Sequence, residues 1–314
     1  MIPRHAVTLV LLATLATALV GCSPQLAEPS PPQPTLVAEP EGPPVAQIIA
    51  VHGFNDRKAT FEGFAAYAAE RGIRLEAFDQ QGFGANSNRG LWPGRDLLVK
   101  DLANRLAEAR AREPEIPLYL IGESMGAAIS AITLAEHPDL PVDGLVLSAP
   151  AVWGGDAMNP FYRAVLWLVA RVAPGLQFTG EDLGKQASDN IPMLRELAAD
   201  PLFVKETRVD SIEGLVGVME DAREAGTKLH LPRLVLGGKR DEIVPPEALA
   251  SFLPLLDPND CVAILYEKGW HMLLRDLQRQ KVWTDIIDWI TEEGKLQPRA
   301  DIRACDQPAT DAGS

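Results

Sequence analysis

Apolar residues are spaced in two ways along most of the chain. From Ala46 onward, short apolar runs alternate with longer segments in which apolar residues recur every three or four positions. The short runs predict strands, and the longer segments predict helices with one buried face. The predicted strands are Gln47–Val51, Leu75–Phe78, Leu118–Ile121, Leu145–Ser148, Leu234–Leu236 and Val262–Leu265. The predicted helices are Thr60–Arg71, Leu97–Arg112 and Val282–Ile290. This order predicts an α/β fold, a mostly parallel sheet with helices on both faces.

Residues 151–230 interrupt the alternation and predict a helical insertion. Asn159 and Pro160 are typical of a helix N-cap and first turn, and the residues that follow are more apolar than a surface helix requires. A second helix is predicted over Ser211–Ala225, where Asp210 and Glu213 have the spacing of a capping box.

The first residues have the layout of a bacterial export signal. A short basic start and the apolar run Ala6–Val20 end at Leu19-Val20-Gly21-Cys22. The run is too short for a spanning helix. Its end resembles a lipoprotein cleavage box, which implies a signal peptide over residues 1–21 and acylation of Cys22. Ser23 after the cysteine implies an outer-membrane protein facing the periplasm. We therefore expect a lipid-anchored protein of the bacterial cell envelope.

Two flanking segments are predicted to lie outside the folded part. Residues 22–45 are proline-rich, which favours an extended tether, and residues 295–314 form a polar tail. The folded domain is therefore predicted over residues 46–294. An oxidising compartment would allow Cys261 and Cys305 to form a disulfide, but the sequence leaves that pairing open.

Composition excludes several kinds of partner. The 314 residues are 46% hydrophobic, enough for a large core, and 29 basic against 43 acidic residues give a net charge of −14. This charge disfavours nucleic acids. The three cysteines lack the spacing of a zinc site. Gly82-Phe83-Gly84 lacks the third glycine of a dinucleotide loop, since that position is Ser87. We expect no metal and no cofactor.

One pentapeptide carries the strongest chemical signal. The predicted strand Leu118–Ile121 runs into Gly122-Glu123-Ser124-Met125-Gly126, and a helical segment follows. A nucleophile on a sharp turn between a strand and a helix needs neighbours without side chains, because the two elements crowd the turn. Ser124 is therefore the candidate nucleophile.

A serine hydroxyl needs a general base, and the base needs an acid that orients it. Asp241 and His271 each follow a predicted strand, at the edge where parallel sheets build their sites. We therefore predict His271 as the base and Asp241 as the acid. Asp257 and Asp260 are competing acids, but they precede the last strand and so belong to the opposite edge.

The oxyanion that forms during acyl transfer needs N–H donors fixed in advance. One is expected from Met125, directly after the nucleophile. The other is expected from Phe54, in the loop that follows the first strand, where Gly53 allows the backbone to turn. His52 in that loop is interpreted as a structural residue rather than as a base.

These motifs together resemble the monoglyceride lipase and lysophospholipase group of serine α/β-hydrolases. The matching segments are Val51–Phe54, Phe78–Gly84, Gly122–Gly126, Asp241–Pro245 and His271. The triad order Ser, Asp, His is that of the α/β-hydrolase fold. The resemblance spans Ala46–Gly294 and implies a cap formed by residues 151–230. It also implies a small lipid or ester substrate: monoacylglycerol, lysophospholipid or a related carboxyl ester.

Two departures from that group are visible. The strand hairpin that usually precedes the His-Gly strand is replaced by a short proline-rich region, which leaves one sheet edge unaccounted for. Ala127 stands where many members have a second glycine.

The predicted function is hydrolysis of carboxyl esters through an acyl-enzyme, and several alternatives stay open. The same triad could serve an aminopeptidase, with Glu213, Glu220 or Asp221 holding an α-amino group, or an acyltransferase. A further alternative is an inactive, hydrolase-like scaffold of the envelope. Acyl-chain length, head group and oligomeric state are not specified by the sequence.

Overall fold

The structure, a computed structural model, describes residues 33–153, 159–179, 184–292, 294–299 and 301–306. The predicted signal peptide and Cys22 lie outside these ranges. The described chain contains an eight-stranded sheet and a separate antiparallel pair of strands. With the strands numbered along the chain, the sheet has the order β1-β3-β2-β4-β5-β8-β9-β10, and the pair consists of β6 and β7. The six central strands are parallel, which confirms the predicted α/β fold.

The central strands are buried on both faces, which explains why they appear in the sequence as continuous apolar runs. They are β2 (Ala46–Val51), β3 (Ile73–Phe78), β4 (Leu118–Glu123), β5 (Gly144–Ser148), β8 (Arg233–Gly238) and β9 (Cys261–Tyr266). Each contains the strand predicted for that segment.

Alternate residues of these strands point into two separate cores, one on each face of the sheet. In β2, Ile49 and Val51 belong to one core, and Ile48 and Ala50 to the other. Helices of the main domain cover the faces: α1 (Glu62–Ala69), α2 (Arg95–Arg112), α3 (Met125–Glu136), α7 (Pro246–Phe252) and α8 (Arg279–Thr291). Residues of α1 and α8 supply one core, and residues of α2, α3 and α7 supply the other.

Both edges of the sheet are closed by short antiparallel strands that the sequence analysis did not predict. β1 (Thr35–Ala38) pairs with β3, and β10 (Ile302–Ala304) pairs with β9. The prediction of an unfolded tether through residue 45 is therefore wrong from Gln33 onward, and β1 accounts for the open edge. Edge strands tolerate neighbouring prolines because one side of the strand needs no ladder partner.

The tail after residue 294 was also predicted to lie outside the folded part, and this too is wrong for the residues of the tail that the structure describes. Cys305 follows β10, is almost fully buried and forms a disulfide with Cys261 at the start of β9. The cross-link and the pairing of β10 extend the folded domain to residue 306.

The described part of the insertion after β5 contains three helices and the antiparallel pair of strands. These are α4 (Pro160–Val172), β6 (Gln177–Thr179), α5 (Ile191–Ala199), β7 (Glu206–Arg208) and α6 (Val209–Gly226). Asn159 caps α4 by accepting a hydrogen bond from the Phe161 amide, as predicted. The capping box predicted for Asp210 and Glu213 does not form, because α6 begins at Val209 and the Asp210 carboxylate binds Arg208 instead.

The helices of the insertion differ in what they cover. The second half of α6 packs into the main core through Val218, Met219, Ala222 and Ala225. α4, by contrast, presents most of its large apolar side chains to solvent: Phe161, Tyr162, Val165, Trp167, Leu168 and Val172. Within the described ranges, no helix combines the length and apolar character needed to cross a bilayer.

Candidate active site

Ser124 occupies the sharp turn between β4 and α3. Its backbone has φ of 55° and ψ of −116°, a conformation that non-glycine residues rarely adopt. A Cβ at Gly122 would lie 2.4 Å from the backbone of Ala127, and one at Gly126 would lie 2.1 Å from the carbonyl oxygen of Val51. The two glycines are therefore required by close approach of the backbone, and the turn holds the Ser124 side chain at the carboxyl end of the sheet.

The structure brings the three predicted catalytic residues together. The Nε2 atom of His271 lies 2.9 Å from Ser124 Oγ, and its Nδ1 atom lies 2.8 Å from Asp241 Oδ2. His271 and Asp241 are buried, whereas Ser124 is half-buried. These contacts form a continuous hydrogen-bond chain from carboxylate to hydroxyl, across 147 positions between Ser124 and His271.

The carboxylate of Asp241 is fixed on both of its oxygens. Oδ1 accepts hydrogen bonds from the amides of Ile243 and Val244, at 2.8 and 2.9 Å, and Oδ2 faces the imidazole. A carboxylate only accepts, so Nδ1 of His271 carries the proton of this hydrogen bond. Nε2 is then free to accept the proton of Ser124.

Opposing effects set the pKa of His271. Burial lowers it, but the charge and hydrogen bond of Asp241 raise it, and the charge of Glu123 adds to the increase. Arg275 acts in the opposite direction. The net result is a pKa above the ordinary value for histidine, because the carboxylates favour the imidazolium.

The loop after β2 lies directly over the nucleophile. A Cβ at Gly53 would be only 3.3 Å from Ser124 Cβ, so the backbone passes the serine closely. The amide groups of Phe54 and Met125 donate to no acceptor in the described part of the chain. Both are free to bind an oxyanion. The Phe54 ring is held edge-on against Phe83, with the centroids 5.6 Å apart, and it also contacts Trp92.

His52 is structural in its contacts. Its Nδ1 donates to the Gly53 carbonyl, and its Nε2 accepts the Gln80 amide at 3.0 Å. Burial lowers the pKa of His52, consistent with a neutral ring. Both nitrogens are occupied by the backbone, so this histidine ties two loops together.

A buried charge cluster beneath the triad was missed by the sequence analysis. Arg275, four positions after His271, pairs with Asp56 of the β2 loop and lies 3.7 Å from Glu123, the residue before the nucleophile. Thr60 donates to one of these two carboxylates, with its Oγ1 at 3.2 Å from Asp56 and 3.3 Å from Glu123. Burial raises the pKa of Glu123, and the charge of Arg275 opposes the increase. A charged residue inside the apolar strand β4 was the only sequence signal for this cluster.

The loop that carries His271 is also bound to the insertion. Ser188 donates a hydrogen bond of 2.6 Å to Asp276, whose other oxygen accepts the Trp270 amide. The Met272 amide donates to the carbonyl of Ala187. Burial raises the pKa of Asp276 to about 6. No sequence motif indicated these contacts.

Of the competing acids, Asp257 has another partner. The Asp257 carboxylate caps a short turn before β9 by accepting the Asn259 amide, at the sheet edge remote from Ser124. The three acids considered for binding an α-amino group are each paired with an arginine: Glu213 with Arg171, Glu220 with Arg163 and Asp221 with Arg95. None of these three carboxylates is available as an unpaired charge.

Metal-ligating side chains are not clustered in the described part of the chain. No group of three His, Cys, Asp or Glu residues there has a geometry that could hold a metal ion.

Known proteins that are similar to this chain in sequence include hydrolases. Residues 42–278 match the family described as "Serine aminopeptidase, S33". The monoacylglycerol lipase of Mycolicibacterium smegmatis is 24% identical over 255 residues, which cover 80% of this chain and 90% of that protein. The monoglyceride lipase of Homo sapiens is 25% identical over 259 residues, which cover 81% and 85%.

Solved structures show the same fold. The crystal structure of Paleococcus ferrophilus monoacylglycerol lipase matches with a TM-score of 0.71 and 21% sequence identity, over 83% of this chain and 99% of that one. At this identity the likeness establishes the architecture alone.

Proposed function

Because the chain belongs to the serine aminopeptidase S33 family of α/β-hydrolases, we propose that it is a serine hydrolase of monoacylglycerol, lysophospholipid or related carboxyl esters. The observation that carries this proposal is the hydrogen-bond chain from Asp241 through His271 to Ser124. The relatives named as monoglyceride lipases support the choice of substrate class.

The reaction begins with proton transfer from the nucleophile. Nε2 of His271 accepts the proton of Ser124 Oγ as that oxygen bonds to the ester carbonyl carbon. The imidazolium is stabilised by Asp241, which keeps its own two amide contacts and does not need to move. The carbonyl oxygen becomes an oxyanion, and the amides of Phe54 and Met125 are its donors.

The acyl-enzyme forms when the tetrahedral intermediate collapses. The bond from carbon to the alcohol oxygen breaks, and His271 returns its proton to the departing alcohol. Water then enters, gives a proton to the same Nε2 and attacks the acyl carbon. Ser124 leaves with that proton, and the fatty acid is released.

The charges around the insertion support ester over peptide substrates. An aminopeptidase needs an acidic group to hold the substrate's α-ammonium, and each of the three acids considered for that role is paired with an arginine. An ester of glycerol or of a lysophospholipid requires no such group.

We also propose that the protein is lipid-anchored through Cys22 in the cell envelope, at the outer membrane facing the periplasm. The sequence Leu19-Val20-Gly21-Cys22 supports the anchor. The buried disulfide between Cys261 and Cys305 supports an oxidising compartment. Cys22→Ala should move the protein from the membrane fraction to the soluble periplasmic fraction. Unchanged fractionation would contradict the anchor.

The proposed chemistry is tested with the purified protein and three substrate classes. Wild type should hydrolyse p-nitrophenyl butyrate and a monoacylglycerol or lysophospholipid, and should react with a fluorophosphonate at Ser124. Ser124→Ala should lose both properties with an unchanged thermal unfolding temperature. Ser251→Ala, which removes an exposed hydroxyl on α7, serves as the matched control. Retained activity in Ser124→Ala would exclude this mechanism, and faster cleavage of aminoacyl p-nitroanilides would identify a peptidase.

A further inference from the structure

Asn55 joins the loop after β2 to the insertion by two hydrogen bonds. Its side-chain amide donates to Thr207 Oγ1 at 2.7 Å, and its carbonyl accepts the Val204 amide at 3.0 Å. Thr207 lies in β7, and Val204 lies shortly before it. One contact uses the backbone of Asn55 and the other uses its side chain. A shift of the loop relative to the insertion would therefore break these hydrogen bonds.

Asn55 also has an unusual backbone conformation. Its φ is 64°, in the left-handed region, which asparagine tolerates better than most residues but which remains unfavourable without support. The next residue, Asp56, is held from the interior by Arg275. The loop is thus fixed on its inner side by a buried ion pair and on its outer side by Thr207.

This fixed residue lies directly after Phe54, whose amide is one of the two proposed oxyanion donors. On the other side, Gly53 lies against Ser124. Such a donor is effective only at hydrogen-bond distance from the developing negative charge, and a misplacement of about 1 Å can reduce a rate on the order of 100-fold. The conformation at Asn55 therefore bears directly on the position of that amide.

We propose that Asn55 is a positioning residue. Its contact with the insertion holds the neighbouring Phe54 amide where it can bind the oxyanion, so the oxyanion hole is complete only when the insertion is bound to Asn55. The inference rests on the proposed ester hydrolysis. The insertion then does more than cover the site: through Thr207 it sets the geometry of a donor that belongs to the main domain. Because the oxyanion forms in both acylation and deacylation, loss of the contact slows whichever step limits turnover.

Thr207→Val tests this contact with little change in shape. Valine keeps the branched side chain of a strand residue and removes the oxygen that accepts from Asn55. We expect kcat for p-nitrophenyl acetate to fall roughly tenfold, less than the loss on the order of 100-fold or more for a missing donor. KM and the unfolding temperature should stay near their wild-type values. Thr207→Ser keeps the hydroxyl and should restore most of kcat.

A matched control and a double mutant complete the design. Thr227→Val removes a hydroxyl at the end of α6 that, among the described residues, bonds only to the Glu224 carbonyl, so it should leave kcat unchanged. Asn55→Gly keeps access to positive φ but loses the amide, and its effect should resemble that of Thr207→Val. Combining Asn55→Gly with Thr207→Val should give little further loss, because both remove the same bond.

The outcomes separate this inference from the proposed function. Wild type that hydrolyses the ester, with kcat for Thr207→Val within twofold of it, would refute the positioning role and leave the esterase standing. A fall in kcat accompanied by an equal loss in Thr227→Val, or by a lower unfolding temperature, would assign Thr207 to stability alone. Wild type that neither hydrolyses esters nor reacts with a fluorophosphonate would overturn both proposals.

Discussion

The first turn of α3 presses against the end of β2, and Gly126 is the residue at the contact. A Cβ there would lie 2.1 Å from the Val51 oxygen and 2.6 Å from the His52 oxygen. Ordinary van der Waals contact begins near 3.4 Å. Gly126→Ala therefore requires the helix start to retreat from the sheet by more than about 1 Å, since neither oxygen belongs to a movable side chain.

That displacement should affect activity more than stability. Overpacking of this kind costs about 1 to 3 kcal/mol of unfolding free energy. Met125 and Ser124 lie on the same turn, so a shift near 1 Å separates the nucleophile from His271 and should lower kcat/KM on the order of 100-fold. Urea unfolding and hydrolysis of p-nitrophenyl butyrate measure the two effects.

Gly217→Ala is the matched control, because a Cβ at this helical position in α6 meets open space. Replacing a glycine inside a helix by alanine should stabilise the protein by about 0.5 to 1 kcal/mol and leave kcat/KM unchanged. Wild-type stability and activity in Gly126→Ala would show that the turn yields easily, and would refute the explanation given for its glycine.

Three other changes have defined outcomes. Activity needs neutral His271, whose pKa is above the usual value for histidine. As the pH is lowered, activity should therefore be lost at a higher pH than an ordinary histidine would give. Asp241→Asn should move this acid limb to lower pH and reduce kcat on the order of 10⁴-fold; an unmoved limb would contradict the assignment. Asp276, with a pKa of about 6, binds protons more tightly when folded, so wild-type stability falls from pH 4 to 6. Between pH 4 and 6, the free energy of unfolding of Asp276→Asn, measured by urea titration, should rise by about 2 to 3 kcal/mol relative to that of wild type. A difference between the two proteins that does not change with pH would exclude this linkage. The double variant Cys261→Ala, Cys305→Ala should lose about 2 to 4 kcal/mol of unfolding free energy, measured in denaturant, and should retain kcat. Lost activity at unchanged stability would contradict this.

The sequence was sufficient for the central sheet and for the positions of the catalytic candidates. Parallel strands buried on both faces appear in the sequence as continuous apolar runs. A residue with a reactive side chain directly after such a run must lie at the carboxyl edge of the sheet. This is why Ser124, Asp241 and His271 were expected to meet, although they are far apart in the chain. Gly122 and Gly126 added a local signal, because the turn tolerates no Cβ.

Contacts that depend on tertiary packing could not be predicted in the same way. Arg275 and Asp56 are 219 positions apart, and neither belongs to a motif. The predicted capping box at Asp210 failed because Arg208, two positions earlier, offers that carboxylate a stronger charged partner. Thr35–Ala38 is too short and too close to prolines to indicate a strand, and only the exposed edge of β3 gives it a partner.

The two closing strands have a practical consequence for work with shortened chains. A protein trimmed to residues 46–294 would lose β1 and β10 and leave unpaired N–H and C=O groups along β3 and β9. Such bare edges are templates for strands of neighbouring molecules, so the trimmed protein should self-associate into aggregates. The flanks are protected unequally: a covalent bond fastens β10, whereas β1 is fastened by non-covalent contacts alone. A protein expressed with residues 33–306, under conditions that allow the disulfide to form, keeps both edges of the sheet paired.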